Sequence, residues 1–89
     1  MPYTAHRILI VDDDKDIGTI LETVLKREGF TQVRVATTAA LGTQLFKEWQ
    51  PHLVLLDIML PDGSGYDLFA IYKAHSASTG QPMVPVLFI

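Results

Sequence analysis

Ile8-Leu9-Ile10-Val11 is an unbroken aliphatic run closed by three aspartates, the pattern of a strand covered on both faces. Beyond it Ile17, Ile20, Leu21, Val24 and Leu25 recur at helical spacing and give one apolar stripe. Gly29 suits the left-handed position just past that helix, where Phe30 can fold back on the last turn. Gln32-Val33-Arg34-Val35-Ala36 then alternates polar and apolar, as a half-exposed strand does. Thr38 is placed to cap a second helix carrying Leu41, Leu45, Phe46 and Trp49. Leu53-Val54-Leu55-Leu56 is a second buried run, again ended by an aspartate, Asp57.

Pro61-Asp62-Gly63-Ser64-Gly65 is dense in turn formers. Ser64 can cap a third helix with Leu68, Phe69 and Tyr72 on its apolar side, and Asp67 stands where a capping box needs an acid. Ser76 to Gln81 reads as a polar loop and Val84 to Ile89 as a last strand, with Pro85 near its start. The order βαβαβαβ predicts a parallel sheet with helices on both faces.

At 89 residues the chain holds one domain. A hydrophobic content of 48% suits a packed core and excludes a disordered chain. The net charge is −3 and no basic run exists, which argues against nucleic-acid binding by this segment. Without cysteine, neither a disulfide framework nor a thiolate metal site is possible. Met1 to Arg7 lacks the apolar stretch of a signal peptide, and no apolar run is long enough to span a membrane. The expectation is a soluble, cytoplasmic domain without membrane contact.

The chemistry gathers at strand ends. In open α/β sheets, ligands bind at the carboxyl edge of the strands, where strand order reverses. If the two buried strands are neighbours, Asp12, Asp13 and Asp57 converge there. Three carboxylates within ~5 Å repel by roughly 3 kcal/mol per pair at an effective dielectric near 20. A cation relieves that repulsion, and dense oxygen ligands suit Mg²⁺. Asp57 is then left to attack phosphorus. Taken singly, Asp13 or Asp14 would be an ordinary helix cap and Asp57 an ordinary strand-end residue. Asp62 reads as a turn residue and stays outside the site.

The segments Ile8 to Asp14 and Leu53 to Gly65, with the Gly29-Phe30 helix stop and the Ala36-Thr37-Thr38-Ala39 junction, resemble those of response-regulator receiver domains. Those domains are the acceptor half of two-component phosphorelays. The resemblance implies a flavodoxin-like, doubly wound α/β domain with sheet order 2-1-3-4. It further implies that residues 1–89 are an incomplete receiver domain, without the fourth helix, fifth strand and fifth helix. The Ser or Thr after strand four and the Lys after strand five, which hold phosphoryl oxygens in the family, would lie beyond Ile89. Asp57 would accept a phosphoryl group from a phosphohistidine on a sensor histidine kinase or phosphotransfer protein. Asp13 and Asp57 would bind Mg²⁺ directly, Asp12 mostly through water, and Met59 through its backbone carbonyl. The Met59 side chain would help set how fast the phosphate is lost, and Gly63 and Gly65 would let the loop turn over the site. The chain would be a signalling switch and not an enzyme, although it lends catalytic groups to its own phosphorylation.

Competing chemistries fail at named residues. Gly63-Ser64-Gly65 meets Leu68 where a dinucleotide fingerprint needs its third glycine, and no Walker loop exists. A haloacid-dehalogenase phosphatase needs a second aspartate where Met59 stands. His6, His52 and His75 show no metal-ligand spacing and read as surface residues. Lys73 and His75 read as charge near the end of the third helix. The rival expectation is an inert fragment that dimerises, swaps domains or aggregates through an apolar edge strand at Val84 to Ile89.

Overall fold

The computed structural model describes residues 5–89. Part of the 1–7 segment read for a signal peptide therefore lies outside the described residues. The elements are β1 (Arg7–Val11), α1 (Lys15–Arg27), β2 (Gln32–Ala36), α2 (Ala39–Trp49), β3 (Leu53–Leu56), β4 (Met59–Leu60), β5 (Gly63–Ser64), α3 (Gly65–Thr79) and β6 (Val86–Phe88). The main sheet has the order β2-β1-β3-β6, all parallel. This is the expected 2-1-3-4 arrangement, with the small antiparallel β4–β5 pair inserted between its last two strands.

The two aliphatic runs lie at the centre of the sheet, where both faces are covered. Ile8, Leu9, Ile10, Val11, Val54 and Leu56 are essentially inaccessible to solvent. On one face Leu9, Val11, Val54 and Leu56 pack with Phe46 of α2 and with Leu68 and Tyr72 of α3. The Phe46 and Tyr72 rings stack with centroids 3.9 Å apart, and the Tyr72 hydroxyl donates to the Gly42 carbonyl at 3.0 Å. Burial raises the pKa of that phenol, so it remains a donor.

Helix ends follow the residues read as stops. Asp14 caps α1, accepting from the Asp16 and Ile17 N–H groups. At its far end Gly29 has φ +102°, while Gly29 and Phe30 donate to the Lys26 and Leu25 carbonyls, a Schellman closure. Thr38 caps α2 and Ser64 caps α3.

The structure corrects four expectations. The stripe on α1 is only partly buried: Ile17, Ile20 and Val24 face solvent. The helix instead meets the sheet through Gly18, where a Cβ would come within 2.9 Å of Val35 Cγ1. Ser76 to Thr79 belong to α3 and not to a loop, because Ser78 and Thr79 return their hydroxyls to the His75 carbonyl and Gly80, at φ +73°, ends the helix. Lys73 and His75 consequently lie inside the helix; Lys73 sits over the Phe69 ring and His75 is half-buried beside Phe46. Finally, the last strand is shorter than expected, although Pro85 and Ile89 extend its bonding to β3 on either side.

Candidate functional site

Register delivers the acidic residues to one place. Val11 of β1 stands opposite both Ala36 of β2 and Leu56 of β3, so the chain leaves neighbouring strands at one level. The next residue in each case continues the ladder: Asp12 N–H donates to the Ala36 carbonyl at 3.0 Å and Asp57 N–H to the Val11 carbonyl at 2.8 Å. Asp12, Asp13 and Asp57 thereby bring carboxylate oxygens within 4.8 Å of one another.

The three carboxylates differ in surroundings. Asp12 is 3% exposed, Asp57 is half-buried and Asp13 is open to solvent. Asp12 Oδ1 accepts from the Asp14 N–H at 2.9 Å, which holds the turn leading into α1. Burial pushes the Asp12 carboxyl above the usual range; the Asp14 N–H works against this, while the Asp57 and Asp13 charges add to it. Met59 N–H lies 3.3 Å from Asp57 Oδ1 and orients that carboxylate. A cluster of hard oxygen donors, one of them buried against the charge of its neighbours, fits a divalent cation such as Mg²⁺.

The two glycines expected to turn the loop after Asp57 differ in what they do. Gly65 donates its N–H to the Ile58 carbonyl at 2.7 Å, and a Cβ on it would overlap the Asp57 carbonyl oxygen, so only glycine fits. Gly63 has no such duty. It lies outside the left-handed region, and a Cβ there would make ordinary contact with Ala39 at 3.5 Å. Met59 is 78% exposed at the rim. The expected tight turn is present at Pro61-Asp62 and joins a two-stranded hairpin, Met59 pairing with Ser64 and Leu60 with Gly63.

Asp62, by sequence a turn residue outside the site, has two partners in the fold. Its Oδ1 accepts from Ala39 N–H at 2.6 Å and its Oδ2 from Ala40 N–H at 3.0 Å. Those bonds hold its carboxyl below the usual range. The only local sign of this was an acid in a turn, which is ordinary. The histidines stand away from the acidic cluster. His52 is at the opposite end of β3, its Nδ1 accepting from the Arg7 N–H at 2.9 Å and its own N–H donating to the Arg7 carbonyl. His6 packs edge-on against it.

Comparison with known proteins gives one consistent result. Residues 8–89 match the response regulator receiver domain. The chain is 38% identical over 84 residues to the transcriptional regulatory protein GltR of Pseudomonas aeruginosa, covering 94% of this chain and 34% of that protein. It is 41% identical over 87 residues to the DNA-binding response regulator MtrA of Mycobacterium tuberculosis, covering 94% and 35%. The chain thus spans about a third of the length of these curated relatives. Among solved structures, it superposes on the MaeR response regulator bound to beryllium trifluoride with a TM-score of 0.77 at 34% identity, over 94% of this chain and 66% of that one. The N-terminal domain of a response regulator receiver protein from Methanoculleus marisnigri JR1 gives 0.81 at 30% identity, over 94% and 65%.

The electrostatics of Asp12 generate a prediction with a definite sign. Its folded pKa lies above its unfolded one, so between the two values the folded chain holds the extra proton and stability falls as pH rises. Above both values, the metal-free fold carries the full cost of the buried charge. Asp12→Asn keeps an oxygen for the Asp14 N–H and removes the charge. In chelator at neutral pH the variant is expected to unfold at a higher urea concentration than the wild type; an unchanged or lower midpoint contradicts this account of the cluster.

Proposed function

Because the chain belongs to the response regulator receiver domain family, we propose that Asp57 is its phosphoacceptor, beside a Mg²⁺ site completed by Asp12, Asp13 and the Met59 carbonyl. The observation that carries this reading is the convergence of the three carboxylates within 4.8 Å at the in-register ends of β1 and β3. The donor is a phosphohistidine on a sensor histidine kinase or phosphotransfer protein. An oxygen of the Asp57 carboxylate bonds to phosphorus, the phosphorus–nitrogen bond breaks, and its electron pair leaves with the imidazole. The product is an acyl phosphate.

The chain's own residues prepare this step. The Asp57 backbone is locked to β1 by its bond to Val11, and its carboxylate is oriented by the Met59 N–H. Pre-set orientation lowers the barrier because little freedom remains to be lost on reaching the transition state. Asp13 and Asp57 would hold Mg²⁺ directly and Asp12 through water. When bound, the ion would neutralise charge on the transferring phosphoryl oxygens. The exposed Met59 side chain would help set how fast the phosphate is lost.

The same reading makes the chain a cytoplasmic switch and not an enzyme acting on outside substrates. Among the described residues no helix is long and apolar enough to cross a membrane. With a net charge of −3, this segment is a poor DNA ligand, so an output of the kind named for MtrA would rest on other residues.

A second reading concerns assembly. Among the described residues β6 pairs only with β3, and Leu87, Phe88 and Ile89 are 56%, 39% and 44% exposed. Apolar edge strands pair with other chains. Dimers or swapped dimers through β6 are therefore expected to grow with concentration in light scattering; a monomer throughout the millimolar range contradicts this.

The phosphoacceptor assignment is tested by intact mass after incubation with acetyl phosphate and Mg²⁺. One added phosphoryl group is expected on the wild type and none on Asp57→Asn. Equal labelling of the variant contradicts it, whereas a wild-type chain that is folded by circular dichroism yet unlabelled would mean that the phosphoryl-holding Ser or Thr and Lys expected beyond Ile89 are indispensable.

A further inference from the structure

The β4–β5 hairpin is tied to a helix that begins 23 residues earlier. The tie is the Asp62 carboxylate, one oxygen on Ala39 N–H and the other on Ala40 N–H. These belong to the first turn of α2, whose N–H groups have no partner within the helix. Thr38, the local cap, takes the Leu41 N–H at 3.1 Å, so two side chains share the helix end. One is part of α2's own approach; the other arrives from the loop that follows Asp57.

The contact closes a ring around the acidic cluster. Asp12 N–H is bonded to the Ala36 carbonyl, and Ala36 runs through Thr37 and Thr38 into Ala39. Ala39 and Ala40 hold Asp62, from which β4 leads back to Asp57. Asp57 N–H then returns to the Val11 carbonyl, next to Asp12. Asp62 is the one side-chain link in a ring otherwise made of backbone bonds and chain. Within the arc that it anchors lies Met59, whose N–H orients Asp57.

We propose that Asp62 is a positioning residue for the phosphoryl site, clamping the hairpin to α2 so that Met59 and Asp57 keep their places around the metal. This rests on the reading of Asp57 and Met59 given above. A purely structural cap would stabilise α2 and leave the site unaffected, and Thr38 supplies that comparison because its hydroxyl caps the same helix at the Leu41 N–H. Loss of a residue that orients metal ligands commonly lowers metal affinity 10- to 100-fold. Acting through the backbone of one ligand, Asp62 belongs near the lower end, at about tenfold.

The test is calorimetric titration of the full chain with Mg²⁺ alone, on the wild type, Asp62→Ala, Asp62→Asn and Thr38→Ala. Asp62→Ala is expected to bind about tenfold more weakly, and Asp62→Asn, which keeps one acceptor oxygen, to fall between it and wild type. Thr38→Ala is expected to unfold more readily yet to bind Mg²⁺ as the wild type does. Asp62→Asn also serves if the alanine variant fails to fold. Wild-type affinity in the Asp62 variants, or equal weakening in Thr38→Ala, overturns the positioning role alone. A wild-type chain that binds no Mg²⁺ overturns the site reading and this proposal with it.

Discussion

Val11 and Leu56 stand opposite each other in the two central strands. A shift of one residue would turn every side chain of a strand to the other face, trading the α2–α3 core contacts of Leu9 and Val11 for those of Ile8 and Ile10. The register decides where the chain leaves the sheet. Asp12 and Asp57 follow at the same level, so three carboxylates share a site that their own repulsion would otherwise scatter. The fold holds them against that repulsion; burial is the main cause that raises the Asp12 pKa, and the Asp57 and Asp13 charges add to it.

Much of this arrangement was legible in the sequence because it depends on local pattern. Two continuous aliphatic runs, each ended by aspartate, name the central strands and the site at once. Asp14, Thr38 and Ser64 cap helices within three residues of themselves, and Gly29 ends α1 with a positive φ, so each can be read from its neighbours. The resemblance to receiver domains added the order of the strands, which periodicity alone leaves open.

What escaped the reading depends on partners distant in sequence. Asp62 looks like any turn residue until the fold sets it against the start of α2. Gln50 takes a left-handed conformation with φ +54°, unusual for a side chain of its size, and Arg7 from β1 donates Nε and Nη2 to its carbonyl. The polar end of α3 reads as a loop, yet Ser78 and Thr79 satisfy themselves on the helix's own His75 carbonyl. The stripe on α1 was correct as a helical pattern and misleading as a guide to burial, since Gly18 makes the close approach to the sheet. Gly65 was singled out for a turn; the structure shows that its lack of a side chain makes room for the Asp57 carbonyl.

The central claim is that this carboxylate cluster exists to hold a divalent cation beside a phosphoacceptor. A ligand that binds only the folded chain stabilises it by RT ln(1 + [L]/Kd), about 1.4 kcal/mol at ten times Kd. For a domain of this size that corresponds to a rise of several degrees in Tm. The most direct measurement is therefore Tm against Mg²⁺ concentration at constant ionic strength, for the wild type, Asp13→Asn and Asp57→Asn. A saturable rise in the wild type that is lost in both variants is the predicted result. A wild-type Tm indifferent to Mg²⁺, or one that rises equally in all three chains, would contradict the account.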